Sequence, residues 1–268
     1  MIHRPEDSEA ELRDAIGPRS PGPGTPTGRS TRYFIDLHCH TSASFDSLAS
    51  PAAVVQAAAA RGLTHIAITD HDRVDAALRA RDEAPDGLTV IVGQELRTTA
   101  GDLTAAFIEQ AIPPGLSPDE AIAAIHEQGG LVGLPHPFDR FRGSLLRDVA
   151  MASLAPLLDW VEVHNARVIG GGNALAVEFA RAERLPGVAV SDAHTTIEVG
   201  VAYTVVDRDV SEPDALRDAL TRAELVTGRA SFVVRAVMPV AKAINRLRGN
   251  RRIRPMSASR IPTDRVAL

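Results

Sequence analysis

A chain of 268 residues with 44% hydrophobic and 4% aromatic content can build one large α/β barrel or two small domains, and its many alanines argue against an all-β sandwich. A single cysteine, Cys39, excludes an internal disulfide and favours a reducing, cytoplasmic setting, and no apolar run approaches the roughly 20 residues that span a bilayer, so no integral membrane association is expected. The net charge of −5 hides an acidic body, with 19 basic and 33 acidic residues in 1–228, which disfavours nonspecific nucleic-acid binding over the whole surface.

Residues 1–30 open on charged positions and run into SPGPGTPTG, from Ser20 to Gly28, a polar leader that cannot bury a core and is set apart from the fold. From Tyr33 onward, short apolar runs alternate with alanine-rich or amphipathic ones, the pattern of repeated β-α units around a mostly parallel sheet. The strand candidates are Tyr33–Leu37, His65–Thr69, Leu88–Gly93, Leu103–Ile108, Leu131–Leu134, Trp160–Val163, Val188–Val190 and Ala202–Val206. Ser50-Pro51 offers an N-cap and an N1 proline to an alanine-rich helix that Arg61-Gly62 closes. Ser117-Pro118-Asp119-Glu120 reads as a capping box for a helix ending before Gly129-Gly130. Further helices are expected over 73–84, 145–158, 172–184 and 212–224. That many units in about 200 residues close a small barrel more readily than they make two domains. The expected organisation is a leader over 1–30, a barrel over 31–230, and a basic helix and tail over 231–268.

In α/β barrels and open α/β sheets, functional groups gather at the carboxyl ends of the strands. After the first strand comes His38-Cys39-His40, where strand alternation sets both imidazoles on one face and Cys39 on the other. An isolated HxH is no better than an even bet for a ligand pair. It is followed, however, by Thr69-Asp70-His71-Asp72, Gln94-Glu95, Pro135-His136-Pro137 and Ser191-Asp192-Ala193-His194, each behind another strand candidate. Five of the nine histidines therefore fall at strand ends together with two carboxylates. Imidazole and carboxylate donors without thiolates suit Mn, Fe, Zn or similar ions, and more than four ligands imply two or three metals. Such a centre lowers the pKa of bound water and neutralises phosphate oxygens.

The stretch FIDLHCHTSASFDS, followed by GLTHIAITDHD, GQE, LPHPF and SDAH, resembles the PHP (polymerase and histidinol phosphatase) domain family over roughly residues 33–207. The resemblance implies a distorted (β/α)7 barrel with a trinuclear metal centre and phosphoester hydrolysis, here by a metal-activated hydroxide. It also implies ligands. His38, His40, Glu95 and Asp192 would hold one metal, Glu95 would bridge to a second bound by His136, and Asp46, His71 and His194 would hold a third. Where the family usually carries another histidine, this chain has Gly101-Asp102-Leu103-Thr104, so Asp102 is the candidate substitute, with a turn residue beside Gly101 as the bland alternative.

Arg140, Arg142 and Arg167, on loops beyond strand candidates, could make bidentate phosphate contacts, and His164 and Asn165 could touch substrate or brace a loop. Asp70 and Asp72 flank a ligand and are expected to orient histidines, and Cys39 is expected to be a small buried side chain. Residues 233–247 form a basic amphipathic pattern interrupted by Pro239, expected to pack on the barrel or a sister subunit; the oligomeric state is not encoded legibly. The leading expectation is a phosphoesterase acting on a small phosphorylated substrate or a nucleic-acid end. A C–N hydrolase on the same centre and a non-catalytic metal-binding module are the alternatives.

Overall fold

The computed structural model describes residues 31–140 and 153–253. The leader, Arg142, most of the helix expected over 145–158, and residues 254–268 lie outside the described residues.

Nine strands form one sheet: β1 (Tyr33–Cys39), β2 (His65–Ile68), β3 (Thr89–Arg97), β4 (Asp102–Ala106), β5 (Leu131–Leu134), β6 (Trp160–Asn165), β7 (Gly187–Val190), β8 (Tyr203–Val206) and β9 (Glu224–Val226). Their order is β7-β6-β5-β4-β3-β2-β1-β8-β9. β1, β2 and β3 are mutually parallel, as are β5, β6 and β7, whereas β4 is antiparallel to both neighbours. The reversal arises because a tight turn joins β3 to β4, Thr98 donating through its backbone and hydroxyl to the Gly101 carbonyl at 2.8 and 2.6 Å. No helix intervenes there, so the β-α alternation expected from the sequence breaks at the hairpin. The ring closes where Cys39 and Ala193 form a parallel bridge, His40 N–H donating to the Ala193 carbonyl at 2.8 Å. β8 pairs antiparallel with the start of β1, and β9, which carried no sequence signal, extends that edge. The result is the distorted, nearly closed barrel that the sequence led us to expect.

The described helices are α1 (Pro51–Ala60), α2 (Asp75–Asp82), α3 (Pro118–Glu127), α4 (Gly172–Glu183), α5 (Pro213–Leu220) and α6 (Phe232–Leu247). Ser50 caps α1 by accepting from Ala53 N–H at 3.2 Å, and Gly62, at φ +78°, takes the left-handed turn that ends it. The capping box of α3 is formed, Ser117 N–H donating to Glu120 at 2.8 Å and Glu120 N–H returning to the Ser117 hydroxyl at 3.3 Å. α6 continues through Pro239 instead of being interrupted by it. Over the described part of 145–158, Ser153 and Leu154 are helical and a 3-10 turn at Ala155–Leu157 leads into β6.

Two apolar layers hold the barrel. Val54, Val55 and Ala58 of α1 pack with Cys39, Ile66 and Ile68 in the helix-facing layer, while Ile35, Leu37, Ile91, Leu131, Trp160 and Val190 fill the interior. Each fully buried aliphatic side chain contributes about 1.5–3 kcal/mol. A Cβ at Gly133 would lie 2.3 Å from the Trp160 indole, so β5 needs glycine there for Trp160 to occupy the interior.

Candidate metal centre

The register of β1 against β2 shifts between Asp36 and Cys39. This irregularity lets Leu37 end the apolar interior while His38 and His40 turn into the space above it and Cys39 joins the helix-facing layer. The two histidines meet there, their Nε2 atoms 3.0 Å apart. The ends of β2, β3, β5 and β7 deliver His71, Glu95, His136, Asp192 and His194 to the same space, and the loop after β1 delivers Asp46. Asp72, His136 and Asp192 all adopt positive φ (58°, 28° and 53°), a conformation that non-glycine residues rarely take and that turns the chain sharply off the strand ends.

Glu95 is central. Its Oε2 lies 3.4 Å from His38 Nε2, 3.3 Å from His40 Nε2 and 3.1 Å from His71 Nδ1, and its Oε1 lies 3.2 Å from His136 Nε2. Asp192 Oδ1 completes the first grouping at 3.6 Å from His40 Nε2. Asp46 Oδ1 lies 3.6 Å from His71 Nε2 and 3.5 Å from His194 Nε2. Ligand atoms of His38, His40 and Asp192, and separately of His40, His71 and His194, fall within 4.8 Å of one another.

The histidines are oriented for coordination. His38 Nδ1–H donates to Glu162 at 2.6 Å, and His194 Nδ1–H donates to the Asp192 carbonyl at 2.9 Å. His40 Nδ1–H donates to Ser44 Oγ at 3.0 Å, and that hydroxyl donates to Asp70 at 2.6 Å. In all three, Nδ1 is committed to the protein and Nε2 faces inward, the arrangement that second-layer partners give to metal-ligating imidazoles. The donors fit divalent cations on a further ground: Asp46 Oδ1 is buried without a hydrogen-bond partner, which a cation between it and the two imidazoles would satisfy.

The electrostatics follow from this crowding. Burial opposes charge on His38, but Glu162 and Glu95 outweigh it and push its pKa up to about 10. Burial also opposes charge on Glu95, yet His71 and its other imidazole partners hold it well below the usual carboxylate range. Burial is likewise overcome at Asp46 by His194 and His71, which hold it low. His40 goes the other way, kept well below its ordinary value by burial and by His194, and so neutral and ready to ligate.

Asp70, expected to orient histidines, accepts from Thr41 N–H and hydroxyl at 2.7 and 2.6 Å and from the Ser44 hydroxyl that meets His40. Asp72 instead accepts from Arg97 N–H at 2.9 Å and from Arg252 at 3.3 Å. Asp102 lies at the cavity, buried beside Glu95, with its Oδ1 accepting from Arg252 Nη2 at 2.8 Å. The phosphate-contact candidates fare differently. Arg167 is buried and ion-paired with Glu198, Arg140 is exposed and does not line the cavity, and Arg142 lies outside the described residues. His164 braces a loop, donating to the Gly228 carbonyl at 2.7 Å, and Asn165 braces Glu162 and Asp192 at 2.8 and 3.0 Å.

The sequence missed Glu162, whose carboxylate also accepts His136 N–H at 2.9 Å; its only signal was a charged residue among the apolar Trp160, Val161 and Val163. It also missed the cations that line the cavity of about 330 Å³, namely Arg97, Lys242 and Arg252, with Phe45 between the last two.

A model of the PHP domain matches residues 36–141, and one described as PHP-associated matches residues 170–225. An uncharacterised protein of Methanocaldococcus jannaschii, MJ1587, is 35% identical over 145 residues, 49% of this chain and 81% of its own. A two-domain protein of Bacteroides vulgatus containing a predicted PHP-like metal-dependent phosphoesterase superposes with a TM-score of 0.65 at 20% identity, over 80% of this chain and 70% of the other. The lesion-specific endonuclease EndoQ of Pyrococcus furiosus superposes at 0.55 with 16% identity, over 73% and 58%. With the motifs at the strand ends, the distorted barrel and these matches in agreement, the chain belongs to the PHP domain family.

Proposed function

We propose that the chain is a metal-dependent phosphoesterase that hydrolyses a phosphomonoester or a nucleotide or oligonucleotide phosphodiester. The observation that carries this reading is the convergence of Asp46, His71, Glu95, His136, Asp192 and His194 on a cavity also lined by Arg97, Lys242 and Arg252, with His38 and His40 buried directly behind Glu95. Divalent ions such as Mn, Fe or Zn held by those donors would supply Lewis acidity and an activated water. Arg97 and Lys242 reach the same cavity and can pair with non-bridging phosphate oxygens, and Phe45, packed against His71 and Lys242, adds apolar surface to its lining.

No side-chain nucleophile is required at such a centre. Cys39 lies in the helix-facing layer, and burial together with the Asp36 carboxylate pushes its thiol well above the ordinary value. An attacking water is therefore the chemistry these residues support. A cavity of about 330 Å³ accommodates a mononucleotide or one terminal unit of a strand, and the fold shared with a lesion-specific endonuclease is consistent with the second substrate class.

The test is phosphate release from nucleotides and strand cleavage of oligonucleotides, run beside an amide panel with added Mn, Fe or Zn. Phosphoester turnover abolished by chelation is expected. Turnover confined to amides would favour a C–N hydrolase, and no turnover with fewer than two bound metals would favour a metal-binding module.

A further inference from the structure

α6 and the segment after it run along the cavity, which Met238, Lys242 and Arg252 help to line. Asn245 donates to the carbonyls of Ser44 and Ser47 at 3.2 and 2.8 Å, and Asn250 donates to those of Ser42 and Ala43 at 3.0 Å each. These bonds tie the C-terminal segment to the loop that carries Asp46, and they send Arg252 inward. Its Nη2 donates to Asp102 Oδ1 at 2.8 Å and its Nε to Asp72 Oδ2 at 3.3 Å, with only 14% of the side chain exposed. A long basic side chain near the end of a basic segment would ordinarily be solvated; here it is held by two buried carboxylates.

Its position matters because of what Asp102 could otherwise do. In the β3–β4 hairpin Thr104 pairs with Glu95 and Asp102 with Arg97, so Asp102 and Glu95 share a face and both line the cavity. On that side the available donors are Glu95 Oε1, His136 Nε2 and the Asp102 carboxylate. Three protein donors make a credible divalent site, whereas two leave a cation mostly hydrated. Arg252 takes the third, and a guanidinium on that carboxylate repels a divalent ion drawn to the same oxygens.

We propose that Arg252 is a built-in cation that keeps Asp102 out of the metal centre, so that the chain loads two divalent ions, one at His38, His40, Glu95 and Asp192 and one at Asp46, His71 and His194. The C-terminal segment is then a component of the site, and it contributes a positive charge that no chelator removes. This rests on reading the site as a metal centre, but it concerns metal number and not turnover.

The test is the metal content of the full chain after equilibration with excess Mn²⁺ and removal of free ion. Wild type is expected to hold two ions, and Arg252→Ala and Arg252→Gln three. Arg252→Ala combined with Asp102→Asn returns to two, because the freed position has lost its carboxylate. If the alanine variant fails to fold, the glutamine variant, which keeps most of the side chain, gives the same readout. Three ions in wild type, or equal content in wild type and the single variants, overturns the proposal. Phosphoester turnover is measured on the same samples. Its absence with counts of two and three would refute the phosphoesterase reading and leave the role of Arg252 standing.

Discussion

Glu162→Gln isolates the contribution of a charge that touches no substrate. The carboxylate is fully buried and serves two candidate ligands at once: Oε1 accepts from His38 Nδ1 at 2.6 Å, and Oε2 accepts from the His136 backbone N–H at 2.9 Å and from Asn165 at 2.8 Å. Glutamine keeps the shape and one acceptor oxygen but loses the charge that makes His38 a strong base, and its amide group turns a donor towards at least one of the present donors. Loss of one such orienting partner weakens metal binding by roughly 10–100-fold, about 1.4–2.7 kcal/mol. Because two ligands depend on Glu162, the upper part of that range is expected. The assay is competitive Mn²⁺ or Zn²⁺ titration against a chromophoric chelator, with a thermal melt to verify folding. Proton release supplies a second reading: His38, with its pKa up at about 10, is charged at neutral pH and gives up a proton on coordination, and the variant should release less. Affinity within threefold of wild type, with unchanged proton release, would refute the orienting role.

Asp46→Asn removes the carboxylate between His71 and His194, and the chain should bind one ion fewer, checked by elemental analysis; an unchanged count would assign the ion elsewhere. Gly133→Ala drives a Cβ into the Trp160 ring, an overpacking cost of about 1–3 kcal/mol that should lower Tm by several degrees, at roughly 2–4 °C per kcal/mol for a domain of this size. His65, buried at the opposite end of β2, has its pKa lowered by burial, which Asp209 only partly offsets. Below about pH 6.5 the unfolded chain takes up a proton that the folded chain resists, so this residue costs stability as pH falls through that value and costs nothing above it. His65→Gln should therefore flatten the loss of stability between pH 7 and 5 in urea titrations, and an identical pH slope would show that His65 does not cause it.

The parts of the centre that were legible in the sequence share one physical origin. His38, His40, Glu95, His136, Asp192 and His194 each lie in the last residues of a strand or just beyond it, and barrel geometry collects strand ends on one face, so local pattern and global position agree. What stayed hidden depends on contacts between distant segments. Glu162 reads as one charged position in β6 until the fold brings it against His38, 124 residues earlier. Arg252 is one of many arginines in a basic segment until Asn245 and Asn250 fasten that segment over the loop after β1. Arg167 misled for the converse reason: it follows β6 as a phosphate-binding arginine would, but Glu198, on the loop after β7, claims its guanidinium. The β3–β4 hairpin and β9 were missed as pairings because register is set by partner strands and leaves little trace in a short apolar run.

The claim that this cavity hydrolyses phosphoesters with bound divalent ions is tested most directly by steady-state phosphate release from a nucleotide by Mn²⁺-loaded wild type and His40→Ala. His40 touches both donor groupings, so its loss should disable the centre. The account predicts metal-dependent turnover in wild type and a fall of at least about a hundredfold in kcat/KM in the variant, the scale that loss of an oriented metal centre implies. Equal turnover in the two proteins, or wild-type turnover unaffected by a chelator, would contradict it.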